Sequence, residues 1–199
     1  LLRELGSGSL AAAFHATAGA RGDAPALTID GAGGTHGELD DRAARVAGWL
    51  RTRGVEPSDR VLLCGPNSLA LVVAYLATLR VGATALPVGA TLTGSELAGI
   101  VARARPVAAF AGGAALPALR TAAADATPVV ALDDDSGPSL AEAEATGESI
   151  EPADVHGSAT ALLAFTSGTT GRPKGGPLSH ANLLSSIRSA MLAWRWTAD

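Results

Sequence analysis

Residues 166–176 read TSGTTGRPKGG, which puts four hydroxyl side chains (Thr166, Ser167, Thr169, Thr170), four glycines and the ammonium of Lys174 into one short stretch. Each type has a use around a phosphate. Hydroxyls donate to its oxygens, glycines let backbone N–H groups approach it closely, and lysine meets it as a flexible point charge. Lys174 is the only lysine in the chain, the other fourteen basic side chains being arginines. A polar surface turn is the plainer reading, yet a composition that otherwise avoids lysine places one where an ammonium would meet a phosphate. The stretch is not the Walker loop, which needs Gly, four residues and then Gly-Lys-Ser/Thr. Counting from Gly168 puts Pro173 at the second glycine position, and counting from Gly171 puts Pro177 where lysine belongs.

The flanks must position this stretch. Residues 160–165, TALLAF, form an apolar strand, and Ser179 is the natural N-cap of a helix running through SHANLLSSIRSAML. The hydroxyl- and glycine-rich stretch is therefore expected between a buried strand and a helix, where free N–H groups face an anion. Pro173 keeps its exit from simply continuing into the helix. Upstream, strands over 26–30, 60–65, 83–88, 107–111 and 128–132 alternate with helices. Thr35-x-x-Glu38 and Thr93-x-x-Glu96 have the capping-box form that satisfies the first free amides of a helix. Asn67 caps a helix running to about Arg80, another helix lies near 114–124, and residues 31–34 make a turn. This alternation predicts an α/β fold, with largely parallel sheets and flanking helices.

The rest of the chain narrows the alternatives. With 199 residues, 47% hydrophobic and 17% charged, it can bury a sizeable core and is not generally disordered. The net charge of −4 is uneven: residues 133–154 hold eight acids and no Lys or Arg, leaving the remainder at +4. That acidic segment reads as a solvated surface loop or irregular linker. No basic stripe with interleaved aromatics marks a nucleic-acid binder. The single cysteine, Cys64, permits no internal disulfide, and His15, His36, His156 and His180 have no metal-ligand spacing. The apolar run LALVVAYLATL over 69–79 is too short to span a bilayer, and no signal-peptide pattern opens the chain. A cytoplasmic protein is expected. Gly6-x-Gly8-x-x-Ala11 matches a loose dinucleotide fingerprint, but no strand precedes it, so it reads as chance within a flexible lead-in over residues 1–23. No G-x-S-x-G elbow supports a serine hydrolase.

FTSGTTGRPKG over 165–175, followed by PLSHANLL, resembles the phosphate-loop signature of the adenylate-forming superfamily. That superfamily includes acyl-CoA synthetases, luciferase-like ligases and the adenylation domains of peptide synthetases. Residues 37–88 resemble its N-terminal region nearly throughout, and the likeness runs over roughly 24–199, weakest from 112 to 155. His36-Gly37 stands where the family often has Thr-Tyr, and Val88-Gly-Ala-Thr91 where Asn-Pro is common; both concern local structure. The resemblance implies an incomplete N-terminal AMP-binding domain over 24–199, with an acidic loop over 133–154 and a phosphate loop over 166–176. It further implies an AMP-forming acid–thiol ligase using ATP, Mg²⁺ and CoA. A carboxylate attacks the α-phosphate to give an acyl-adenylate and pyrophosphate, and a thiol then displaces AMP. Thr166, Ser167, Gly168, Thr169, Thr170 and Gly171 would cradle phosphate, with Lys174 as the catalytic electrostatic contact; Gly175 would serve backbone geometry and His180 a structural role near the helix start.

Trp194-x-Trp196-Thr197 is similar to a Trp-x-aromatic-Thr stretch of malonyl-CoA synthetases, which implies malonate or methylmalonate as the acid. A peptide-synthetase-type adenylation domain that loads a carrier protein is the alternative enzyme. A non-catalytic nucleotide- or phosphate-binding module is the alternative outside catalysis. A chain that opens on Leu1 and holds its only methionine at Met191 is expected to be a piece of a longer protein. The family's adenine, acid-pocket and C-terminal catalytic motifs would follow Asp199, so these residues alone are expected to bind nucleotide weakly and to be inactive.

Overall fold

The computed structural model describes residues 8–123, 127–133, 137–166 and 174–195. The first element is a helix, α1 (Leu10–Arg21), where the sequence reading placed a flexible lead-in. Ser9 accounts for the difference: its side chain accepts the Ala12 N–H, and an alanine-rich run of high helix propensity follows. Ala11, Ala13 and Ala18 are buried on it. Strands β1 (Pro25–Ile29) and β2 (Ala32–Thr35) pair as an antiparallel hairpin with Ile29 opposite Ala32. The turn is therefore only Asp30-Gly31, both with positive φ (49° and 81°), the geometry that favours Asp-Gly in a tight hairpin. The turn expected over 31–34 is mostly strand. Helix α2 (His36–Thr52) starts at the expected Thr35/Glu38 capping box and buries Leu39, Ala43, Val46, Ala47 and Leu50.

The alternating middle of the chain builds the main sheet. Its elements are β3 (Arg60–Cys64), α3 (Leu69–Arg80), β4 (Thr84–Val88), α4 (Gly94–Ala104), β5 (Ala108–Ala111), α5 (Ala115–Ala123) and β6 (Val129–Ala131). Ser68, not Asn67, caps α3, accepting the Leu71 N–H at 3.1 Å. All four strands run parallel, in the spatial order β6-β5-β3-β4. The chain steps from β3 to β4 and then reverses past β3 to β5. Right-handed crossovers in opposite directions place their helices on opposite faces of a sheet. Period-two alternation along the strands supplies both faces. Val61, Leu63, Phe110 and Val130 pack with α1, α2 and α3. Leu62, Cys64, Ala109 and Ala131 pack with α4 and α5.

The acidic segment, expected as a solvated loop or linker, contains helix α6 (Leu140–Thr146), capped by Ser139 and burying Leu140 and Ala143. Arg42 of α2 holds Glu144 at 2.8 and 3.0 Å, and Arg53 reaches Glu142 at 3.4 Å. Beyond α6 the backbone lies directly on α2. A Cβ added at Gly48 would overlap the Glu148 carbonyl oxygen, and one added at Gly147 would overlap that of Arg45. The Ile150 N–H donates to the Ala44 carbonyl at 3.4 Å. The charges of this segment thus serve partly as docking groups for arginines on and just after α2.

The chain then returns to the sheet with β7 (Thr160–Thr166), β8 (Lys174–Ser179) and α7 (His180–Ala193). β7 joins β4 in parallel and β8 pairs antiparallel with β7, completing the order β6-β5-β3-β4-β7-β8.

Candidate phosphate-binding site

Each flank of the hydroxyl- and glycine-rich stretch has a describable cause. β7 is held against β4 by the Ala85/Leu162 pairing and by the Thr84 hydroxyl, which donates to the Thr160 carbonyl at 3.0 Å. Leu163 and Phe165 pack on the α4/α5 side of the sheet. Because β7 runs parallel to β4, its carboxyl end, Thr166, lies at the same edge of the sheet as the carboxyl ends of β3 and β4. Ligands of open α/β sheets bind at that edge.

The stretch does not lead directly from a strand into a helix, because residues 174–179 form β8 first. Pro177 and two glycines hid this strand from sequence reasoning, since all three are poor strand formers. At a sheet edge they are tolerated, because a proline there need not donate to a second neighbour. The N–H groups at the start of α7 therefore lie beyond β8 and do not open toward the stretch. Anion binding by a helix N-terminus is not what this geometry supports.

The hairpin register runs from Thr160/Ser179 at its base to Thr166/Lys174 at its far end. Directly opposed residues of an antiparallel pair have Cα atoms about 5 Å apart. Thr166 and Lys174 thus meet across the hairpin, at either end of the seven residues 167–173 that join the strands. Ser167, Gly168, Thr169, Thr170 and Gly171 lie outside the described residues. Gly175 sits opposite Phe165, and a Cβ there would come within 3.2 Å of Leu163 Cδ1. That close approach fits the backbone role expected for this glycine.

At the base, Ser179 caps α7 in a reciprocal box: its hydroxyl accepts the Asn182 N–H at 3.1 Å and its own N–H donates to Asn182 Oδ1 at 3.0 Å. His180 follows, fully buried, its Nδ1 accepting the Leu10 N–H at 3.1 Å. Burial pushes its pKa down and keeps the ring neutral. His36 is lowered as well, by burial first and the Arg21 charge second. Cys64 is buried with its thiol pushed up by desolvation, which suits an inert core residue. Trp194 ends α7 and is 66% exposed; Trp196 and Thr197 lie outside the described residues.

Sequence reasoning missed a cleft of about 530 Å³ beside the carboxyl ends of β3 and β4, lined by Gly65, Asn67, Tyr75, Val88 and Gly89 among others. It lies where the loops after β3 and β4 lead to helices on opposite faces of the sheet, as ligand crevices of open α/β sheets do. It also missed the charged junction of α1, α2 and α3. There Arg80, 4% exposed, donates from Nη1 to Asp40 Oδ1 and from Nε to the Ile150 carbonyl, both at 2.6 Å. His15 Nδ1 lies 2.8 Å from Asp40 Oδ2. Among the described residues no group of three or more His, Cys, Asp or Glu could hold a metal ion, and no helix is long and apolar enough to cross a membrane.

The mostly parallel sheet and its flanking helices agree with the fold of known proteins. The chain belongs to the AMP-binding enzyme family, whose pattern matches residues 14–199. Over 199 aligned positions it is 32% identical to the medium-chain fatty-acid–CoA ligase of Escherichia coli (strain K12), covering 92% of this chain and 35% of that protein. Over 166 positions it is 32% identical to nonribosomal peptide synthetase 7 of Gibberella zeae, covering 82% of this chain and 4% of that protein. The crystal structure of ATP-bound MatB from Rhodopseudomonas palustris superposes with a TM-score of 0.76 at 34% identity, covering 85% of this chain and 34% of that one. The chain spans about a third of the length of the bacterial ligase it matches.

Proposed function

We propose that this chain supplies the pyrophosphate-side clamp of an ATP-dependent acyl-CoA synthetase. The observation that carries the reading is the TSGTTGRPKGG stretch at the carboxyl edge of a parallel sheet, in a chain that matches the family over residues 14–199. In the proposed reaction a carboxylate oxygen attacks the α-phosphorus of ATP, and the bond to the β,γ-diphosphate breaks. Negative charge gathers on the departing pyrophosphate. The hydroxyls of Thr166, Ser167, Thr169 and Thr170, backbone N–H groups freed by Gly168 and Gly171, and the Lys174 ammonium would stabilise that charge. The thiol of CoA then attacks the acyl carbon and releases AMP. Magnesium enters with the nucleotide, and no ligand for it is assigned to this chain.

A Lys174→Ala change tests the clamp. In a chain long enough to catalyse adenylation it should slow ATP–pyrophosphate exchange about 100-fold, the scale of losing one transition-state contact. Unchanged exchange would reject the role given to Lys174. For the 199 residues themselves the expected activity is weak MgATP binding, which titration calorimetry can read.

For the acid, the Trp194-x-Trp196-Thr197 pattern supports malonate or methylmalonate. ATP-dependent CoA ligation with malonate, methylmalonate, acetate and longer acids decides it, and equal rates would end that assignment. The likeness to a peptide synthetase keeps a carrier-protein acceptor as the second reading. Acyl transfer to a phosphopantetheinyl carrier in preference to free CoA would favour it.

A further inference from the structure

We propose that His180 is a positioning residue for β8: by tying the start of α7 to the start of α1, it sets the backbone position of Lys174. Its functional half rests on the phosphate-binding reading above.

The two strands of the hairpin are held very differently. β7 has neighbours on both sides, β4 and β8. Among the described residues β8 has only β7, and it carries Gly175, Gly176 and Pro177, which pair weakly. Its course therefore depends on what anchors its carboxyl end, and that end runs straight into His180. Beside the Ser179/Asn182 box, three hydrogen bonds tie this junction to other elements. The His180 N–H donates to the Ala159 carbonyl at 3.1 Å, and the Ala181 N–H to that of Gly157 at 2.8 Å. Both partners belong to the turn that precedes β7. The third bond reaches a different element: His180 Nδ1 accepts the Leu10 N–H at 3.1 Å, across 170 residues of sequence.

The ring carries a cost that points to this bond as the reason for a histidine. With Nδ1 accepting, the proton resides on Nε2, which is buried and has no partner among the described residues. A buried N–H left unsatisfied is unfavourable. Leucine would fill a comparable space without that penalty. What leucine lacks is the acceptor for Leu10.

Lys174 stands five residues before Ser179, about 17 Å along an extended strand. A tilt of a few degrees at the junction becomes roughly 1 Å at Lys174, the scale on which positioning errors cost binding and rate.

Three variants of the full 199-residue chain test the inference by hydrogen–deuterium exchange and MgATP titration. His180→Leu keeps the volume and removes the acceptor. His180→Asn keeps an acceptor, since Oδ1 takes the place of Nδ1. Leu10→Pro removes the donor at the first helical position, where proline is accepted. His180→Leu and Leu10→Pro should raise exchange over 174–179 about fivefold, the net worth of one hydrogen bond, with α4 and β5 unchanged. They should weaken MgATP binding by a similar factor, and His180→Asn should behave as the wild type. If His180→Asn is as disruptive as His180→Leu, or His180→Leu leaves exchange over 174–179 unchanged, the brace is overturned. Loss of protection throughout the chain would overturn it too, marking His180 as ordinary core. A wild-type chain that binds no MgATP removes the functional half with the phosphate-binding reading, and the exchange pattern still judges the brace.

Discussion

The segment over 133–154 and residues 174–176, which open β8, both read as loops in the sequence, and they become opposite kinds of structure. The first is held closely along α2 by ion pairs, by a backbone bond to Ala44 and by glycines that let two backbones touch. The second belongs to an edge strand with a single sheet neighbour among the described residues. Glycine serves both, for different reasons. At Gly48 and Gly147 the missing side chain removes an obstacle to packing. At Gly175 it admits Leu163, while the residue itself stays exposed. The comparison teaches that polar, glycine-containing sequence marks a backbone needing room, and only the surroundings show whether protein or ligand fills it.

The contrast can be broken most severely at Asp40. Asp40→Ala leaves the buried Arg80 guanidinium without its carboxylate at the point where α1, α2, α3 and Ile150 meet. A loss of about 3–5 kcal/mol is expected in urea denaturation, since an unpaired buried charge is among the costliest defects. Gly48→Ala comes next, at roughly 1–3 kcal/mol, because the new methyl must push the 147–150 backbone off α2. Limited proteolysis of that variant should cut within 133–154 and spare the hairpin; equal cutting in both would deny that the segment is docked separately.

Acid should act on the hairpin side. His180 is neutral when folded because burial lowers its pKa from the ordinary 6.5, so below that pH the unfolded chain binds more protons than the folded one. Stability contributed by this ring is thus constant above the ordinary histidine range and falls as pH drops through it. His36 carries the same sign. The denaturation midpoint should decline between about pH 7 and pH 5, and His180→Asn should flatten part of that decline. The smallest effect belongs to Glu142→Gln, which removes the long, half-exposed contact with Arg53 and should change stability by less than about 0.5 kcal/mol. A larger loss would mean that surface charge does more to dock the segment than backbone packing does.

Much of the fold was legible because its signals are local. The Thr35/Glu38 and Thr93/Glu96 capping boxes lie within one turn, and the apolar runs of β3, β4, β5 and β7 announce themselves by composition. Helix α1 was missed because GSGS drew the reading toward flexibility, although Ser9 in that same stretch is the cap. Helix α6 was missed because its acids looked solvated, and the arginines that answer them lie on α2 and at its end, about ninety to a hundred residues earlier. The candidate site divides the same way. The hydroxyls, glycines and solitary lysine over 166–176 could be picked out directly, whereas His180 could be placed near the helix start but its bond to Leu10 could not be read.

By itself, then, the sequence determined the family, the alternation of strand and helix, the helix caps at Thr35, Thr93 and Ser179, and which residues are candidates for phosphate chemistry. These follow from residue type and from spacings of a few positions. The tertiary structure alone decided that residues 174–179 are an edge strand, that Thr166 stands opposite Lys174, that α2 receives the acidic segment, and that His180 meets Leu10. Each of those depends on a partner distant in the chain, and the free energy of an edge strand, a bare glycine or a buried ring is set by the neighbour it finds.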